Sequence, residues 1–267
     1  MSYEVRCFME KFIVAAVTDL GIKRKSNQDS IVVLQADIEE YGDCVFAVLC
    51  DGMGGLAQGE QASAAVVTGF ENWFLNRMNY VIKNKLDSKI IENELYSVIE
   101  QQNTEIKKYG DEKKISLGTT IALLLLINGS YTILNIGDSR IYGIRGNKIN
   151  QLTEDHTLVA KELKNGTLTK EEARTDRRKH ILLQCVGAGE DRLYPYFDHG
   201  FYEKGDYFLL CSDGFYNKVK EDEVLTILTK ARNESELREQ LNKIIRLDKE
   251  RNEKDNITAI GIKVVEK

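Results

Sequence analysis

The run "CVFAVLC" (Cys44–Cys50) reads as a buried β-strand, yet it stops on Asp51 and is followed by Gly52, Gly54 and Gly55 with only Met53 among them. The pattern returns along the chain. "DYFLLCSDGF" carries an apolar strand into Asp213-Gly214, and "YTILNIGDSR" ends a strand on Asp138. "DNITAIGIKVV" sets Asp255 just before a strand, while "TDLGIKRKSNQDS" holds Asp19 near the end of the first strand and Asp29 before the second. Each alone has an ordinary reading, because Asp-Gly after a strand is hairpin chemistry and Asp before a strand is loop chemistry. Asp138 in particular fits a turn. Taken together they constrain the fold. Strand ends of packed sheets can converge, and converging carboxylates repel unless something cationic sits among them. Hard divalent ions prefer oxygen ligands, so the set predicts a Mg2+ or Mn2+ site with bound water.

The glycines fit that reading. Gly52 lacks a Cβ, so its backbone can come close to an ion and offer its carbonyl, and Gly54 and Gly55 let the chain turn into the helix that follows. Arg24 lies in the loop before Asp29, where a guanidinium fork suits a phosphate dianion; its plain reading is a surface arginine between Lys23 and Lys25. Other catalytic schemes do not fit. None of the five cysteines is followed at the sixth position by Arg, the nearest being Cys185 with Arg192 one residue too far. His156, His180 and His199 have no zinc spacing, His156 has the position of a helix cap, and neither a P-loop nor G-x-S-x-G occurs.

The totals agree with a chain of 267 residues that can bury a sizeable core, at 42% hydrophobic content. A net charge of −5 without a basic stripe argues against a nucleic-acid partner. The odd cysteine count without C-x-x-C spacing predicts reduced, buried thiols in a cytoplasmic protein. The N-terminal "MSYEVRCFMEKF" reads as neither signal nor anchor, and the longest apolar run, "IALLLLI", is far too short to span a membrane.

Strands are expected at 11–18, 30–35, 43–50, 119–127, 131–136, 140–144, 148–152, 180–186, 206–211 and 257–265. "SYTILNIGDSRIYGIRGNKINQLT" reads as a meander of three antiparallel neighbours. Helical periodicity runs from Gln58 to Met78 and from Lys89 to Tyr109, and the Thr169/Glu172 capping box predicts a short helix. Amphipathic helices follow at Glu221–Lys230 and from Ser235 to about Lys249. Sheets covered by helices make this an α+β chain.

The motifs "TDLGIKRKSNQDS", "DGMGG", "GTTIALLLL", "GDSR", "LTEDHT", "CVGAG", "GDYFLLCSDGF" and "DNITAI" run in an order that resembles the type 2C metal-dependent Ser/Thr protein phosphatases, the PPM family, in their compact bacterial form. The resemblance covers nearly the whole chain. It implies a single domain over 1–267, built as a four-layer α-β-β-α sandwich of two antiparallel sheets flanked by helices, with a flap at about 157–180. It implies two Mn2+ or Mg2+ ions per active site and a weaker third. Asp51 would bridge the two ions, the Gly52 carbonyl would bind one, and Asp213 and Asp255 would complete the other's shell. Asp29 would hold metal-bound waters and Arg24 the substrate phosphate. Asp138, with Asp213, would hold the third ion. The function implied is hydrolysis of phosphoserine and phosphothreonine in proteins by metal-activated water, by a monomer opposing a Ser/Thr kinase.

This chain departs from the family pattern at Gln28, where many relatives have Glu, at Met53, where animal relatives have a histidine, and at Asn217, where the pattern supplies another carboxylate. Those departures keep two alternatives open: a catalytically impaired phosphoprotein-binding regulator of the same fold, and a hydrolase of small phosphate esters.

Overall fold

The computed structural model describes residues 12–54, 58–228 and 231–265. Eleven strands and seven helices occur among them: β1 (Phe12–Asp19), β2 (Asp29–Ile38), β3 (Gly42–Gly54), α1 (Gln58–Lys83), α2 (Ser88–Lys113), β4 (Leu117–Thr119), β5 (Ile121–Ile127), β6 (Ser130–Ile136), β7 (Arg140–Arg145), β8 (Lys148–Gln151), α3 (Leu158–Lys164), α4 (Lys170–Thr175), β9 (Tyr196–Phe201), β10 (Tyr207–Cys211), α5 (Asp213–Tyr216), α6 (Glu221–Leu228), α7 (Glu234–Glu250) and β11 (Ile257–Val264). They build two antiparallel sheets, one ordered β1-β11-β10-β7-β8 and the other β2-β3-β5-β6-β9 with β4 paired to β3.

The period-2 alternation of the central strands explains why their sequences read as unbroken apolar runs. Phe46 and Val48 of β3 and Leu123 and Leu125 of β5 face α1 and α2, burying Val66, Phe70, Leu95 and Ile99. Their neighbours Val45, Ala47, Leu49, Ala122 and Leu124 face the other way, onto Phe208, Leu210, Ile260 and Ile262 of the opposite sheet. On that sheet's outer face, Leu209, Cys211 and Ala259 pack against Leu237, Leu241 and Ile244 of α7 and Val224 of α6. Three apolar interfaces therefore separate four layers, α-β-β-α, as the resemblance implies. α7, highly charged in sequence, nevertheless buries one stripe: Leu237, Leu241, Ile244 and Ile245.

Local signals set the helix limits. The Asp87 carboxylate accepts from the Lys89 and Ile90 N–H groups at the start of α2, and Lys114 ends that helix in the left-handed conformation at φ 55°. The Thr169–Glu172 capping box is formed at α4, as its spacing predicts. α6 ends among the described residues at Leu228; the last two positions of its expected span lie outside them, as does Lys11 before β1.

Two expectations need correction, and one strand, β9, was not foreseen. The predicted meander is broken: β6 pairs with β5 and β9, whereas β7 pairs with β10 and β8 in the other sheet. Gly137, at φ 98°, turns the chain across the rim of the sandwich at a point where a Cβ would collide with the Thr120 side chain. Residues 180–186 form no named strand. They make isolated bridges, Thr157 to Leu182 and Thr119 to Val186, that pin the base of the preceding segment. β9 was not legible because "YFDHGF" is half exposed at a sheet edge, where His199 instead bonds Thr132 Oγ1 at 3.1 Å and Glu92 Oε1 at 2.6 Å.

Phe46 is fully buried and stacks on Phe74 at 4.9 Å between ring centroids, with Trp73 at 5.6 Å. Phe46→Ala is expected to cost about 3–5 kcal/mol through lost transfer energy and an unfilled cavity, read as a lower midpoint in urea unfolding at an unchanged slope.

Candidate metal centre

Five carboxylates meet at one end of the sandwich, contributed by both sheets. Asp29 opens β2 and lies directly across from Asp51 of β3 in the strand register. Asp138 sits in the turn between β6 and β7, Asp213 is the first residue of α5 after β10, and Asp255 precedes β11. Asp51 feels the charge of Asp29, Asp213, Asp138 and Asp255, and Asp29 that of Asp213 and Asp255. The expected site residues are thus brought together. Asp19 is not among them: its carboxylate takes the Gly21 N–H and the Lys249 ammonium, both Nζ–O distances being 2.9 Å.

A frame of short polar side chains aims these groups. The Thr120 hydroxyl accepts from the Asp51 N–H at 2.9 Å, and the Thr119 hydroxyl donates to the Asp51 carbonyl at 2.9 Å. Thr120 also meets Ser139 at 2.7 Å, tying the "GTT" stretch to "GDSR". Ser212 Oγ donates to Asp29 Oδ2 at 3.0 Å. Asn256 accepts from the Gln28 N–H and donates to the Leu20 and Ser26 carbonyls, which holds the Arg24 loop against the start of β11. These partners carry no charge, so the pattern of acidic residues at strand ends does not reveal them; their only sequence signal is that they adjoin the acidic motifs.

Gly52 donates its N–H to the Gln28 carbonyl at 3.0 Å, and a Cβ there would run into the Gly59 backbone and come within 2.6 Å of Gln28 O. The glycine is therefore demanded by the first turn of α1 lying on the strand, a reason different from the one its spacing suggests. Gly55 lies outside the described residues. Arg24 Nη2 bonds Asp255 Oδ2 at 2.6 Å, with the guanidinium about half exposed.

The electrostatics are those of an acidic cluster short of counter-charge. Burial, and then the neighbouring carboxylates, push Asp51 well above the usual carboxylate range. Burial raises Asp29 to about 7 against the opposing hydroxyls of Thr258 and Ser212, and raises Asp138 to about 8 with the help of Asp213. Asp29 Oδ1 and Asp213 Oδ1 are buried without a hydrogen-bond partner. Buried polar atoms are almost always paired, so these orphans mark places where a ligand belongs. A set of carboxylate oxygens is the donor chemistry of Mg2+ and Mn2+.

Sequence spacing missed His180. Its Nδ1 lies 3.3 Å from Asp213 Oδ2, and ligand atoms of Asp138, His180 and Asp213 all fall within 4.8 Å of one another. The hydrogen bond to Asp213 raises the imidazole above its ordinary pKa. Asn217 Nδ2 donates to the same Asp213 oxygen at 3.3 Å, an amide standing at the edge of this subcluster. His156 is half-buried and accepts from the Gly137 N–H, while Thr157, not His156, caps α3. The four described cysteines are unpaired and buried.

With this geometry in view, the comparisons are consistent. Residues 22–246 match the family described as Protein phosphatase 2C. The protein phosphatase PhpP of Streptococcus pneumoniae is 34% identical over 249 residues, covering 92% of this chain and 95% of its own. The Streptococcus agalactiae serine/threonine phosphatase superposes with a TM-score of 0.82 at 29% identity, over 95% of this chain and 99% of its own. The catalytic domain of the serine threonine protein phosphatase PstP, solved with two manganese ions, gives a TM-score of 0.77 at 27% identity, over 96% of this chain and 99% of its own. The chain belongs to the protein phosphatase 2C family, the metal-dependent Ser/Thr phosphoprotein phosphatases.

Proposed function

We propose that the chain hydrolyses phosphoserine and phosphothreonine esters of proteins at the carboxylate rim, with two divalent cations, Mn2+ or Mg2+, and a weaker third. The observation that carries this reading is the pair of orphaned buried oxygens, Asp29 Oδ1 and Asp213 Oδ1, inside a carboxylate cluster short of counter-charge. Asp51, the Gly52 carbonyl, Asp213 and Asp255 are the residues that would hold the two ions. Asp138 and Asp213, with His180 beside them, are assigned to the third. When bound, such ions supply Lewis acidity toward phosphoryl oxygens and lower the pKa of an attacking water.

The chain's own groups do the rest. Asp29, its Oδ2 anchored by Ser212, keeps Oδ1 to accept a hydrogen bond from the water and fix its orientation. Arg24 uses one donor on Asp255 and has others for the phosphate oxygens. As the water oxygen bonds to phosphorus in line, the bond to the Ser or Thr oxygen breaks, the proton the water sheds is matched by one the departing oxygen takes up from solvent, and Arg24 stabilises charge on the equatorial oxygens. The full chain acts as one domain with residues 157–180 as its flap, as a monomer in the cytoplasm opposing a Ser/Thr kinase. The unpaired thiols support a reducing compartment. No helix among the described residues is long and apolar enough to cross a membrane.

Two outcomes are expected. Hydrolysis of a chromogenic phosphate ester and of a phosphothreonine peptide should require Mn2+ and stop in EDTA, and Asp213→Asn should lower kcat/KM at least about a hundredfold, about 2.7 kcal/mol. Activity that survives chelation, or that variant, refutes the assignment.

The second outcome concerns pH. Asp29 and Asp138 titrate in the fold at about 7 and about 8, above their ordinary range. A raised folded value stabilises at low pH, and the stabilisation is lost as pH rises through that value. In EDTA the Tm should therefore fall from about pH 5 to about pH 8, above the unfolded carboxylate pKa and up to the folded values, and Mn2+ should raise it most at the alkaline end, where it has no protons to displace. A Tm in EDTA that climbs over this window contradicts the charge arrangement described.

A further inference from the structure

A cleft of about 1020 Å3 adjoins the metal centre, sharing Asp138, His180 and Asn217 with it and running between α3–α4 and the turn from α5 to α6. Lys170, Arg174 and Lys179 line it from one segment, and Lys218 and Lys220 from the other. None of these five makes an ion pair among the described residues, although Glu221 and Asp222 of α6 also border the cleft. Arg140, on the same wall, is already taken by Asp155 through three hydrogen bonds.

Lys179 is the half-buried member. Its ammonium donates to Asn217 Oδ1 at 3.0 Å, and the Asn217 amide donates in turn to Asp213 Oδ2 at 3.3 Å. The ammonium thus stands two hydrogen bonds from a carboxylate of the metal centre. Asn217 occupies the position where the family pattern has a carboxylate, so no acidic side chain there neutralises Lys179. Lys218 borders the same cleft, and its charge reaches Lys179, as do the opposite charges of Asp213 and Glu253. Like charges lining one cleft repel, and an anion bound between them relieves that repulsion. Lys179 still has two N–H donors to offer, and Lys218 is exposed.

Building on the phosphatase reading above, we propose that Lys179 and Lys218 form an anion subsite for a second phosphate on the substrate, one or two residues from the phosphoserine or phosphothreonine being hydrolysed. Lys179 stands two hydrogen bonds from Asp213, within the reach of one or two residues of an extended peptide, which advance about 3.3–3.6 Å each. A phosphate is the better match than a carboxylate, because its three oxygens and near-double charge satisfy two ammonium groups at once. Preferred substrates are then proteins phosphorylated at clustered Ser or Thr positions.

The test compares four phosphothreonine peptides, in Mn2+, that carry phosphoserine, Glu, Ala or Lys at the adjacent or second position. The phosphoserine peptide should exceed the Ala peptide about tenfold in kcat/KM, with the difference in KM, and Glu should fall between them. The preference should shrink at high ionic strength and collapse to about twofold or less in Lys218→Gln and in Lys179→Gln, while Lys218→Arg retains it. Equal kcat/KM for all four peptides, or a preference that persists in the double variant, overturns the subsite and leaves the phosphatase reading intact. A Glu peptide as good as the phosphoserine peptide overturns the assignment to phosphate. Failure to turn over any of the four overturns the phosphatase reading itself, and the subsite with it.

Discussion

Asp29 and Asp51 face each other across adjacent strands, and the charges of Asp138, Asp213 and Asp255 reach the same point. Like charges in direct register weaken a sheet rather than strengthen it. The rest of the molecule supplies what holds them there. Three apolar interfaces bury the strands on both faces, so that the strand ends cannot splay to relieve the repulsion. Stability generated in the layers is spent at the rim, where it keeps oxygen ligands converged on a space that suits cations.

The rim is aimed by neutral partners. Thr119 and Thr120 grip the Asp51 backbone, Ser212 holds one oxygen of Asp29, and Asn256 ties the Arg24 loop to the start of β11. Each of these bonds joins segments far apart in the chain, so the orientation of every acidic group depends on the sandwich as a whole. The arrangement also explains why a carboxylate-rich motif returns at the end of several strands: one pole of the molecule gathers carboxylates from both sheets.

Much of this was legible before any coordinates. The apolar runs of β3, β5, β10 and β11 and the amphipathic spacing of α1, α2 and α7 reflect burial periodicities that short windows carry. The acidic residues at their ends were legible for the same reason. β9 escaped because an edge strand need not alternate, and residues 180–186 misled because they pair only through isolated backbone bridges to Thr157 and Thr119 instead of joining a sheet. The passage from β6 to β7 was misread because a two- to three-residue connection serves equally for a hairpin and for a change of sheet at the rim. His180 has no spacing signal at all, since the residues it approaches, Asp138 and Asp213, lie on other elements.

The amino-acid sequence alone determined which strands would be buried, which of them would carry a carboxylate at the end, and the family to which that order of motifs belongs. These are local or ordered properties, written in side-chain polarity and succession. Only the tertiary structure decided that Asp19 stands apart on Lys249, that Gly52 is a packing requirement of α1, and that His180 and Lys179 border the acidic cluster. Those outcomes depend on distances between segments remote in the chain, and such distances are set by how the two sheets and their helices pack.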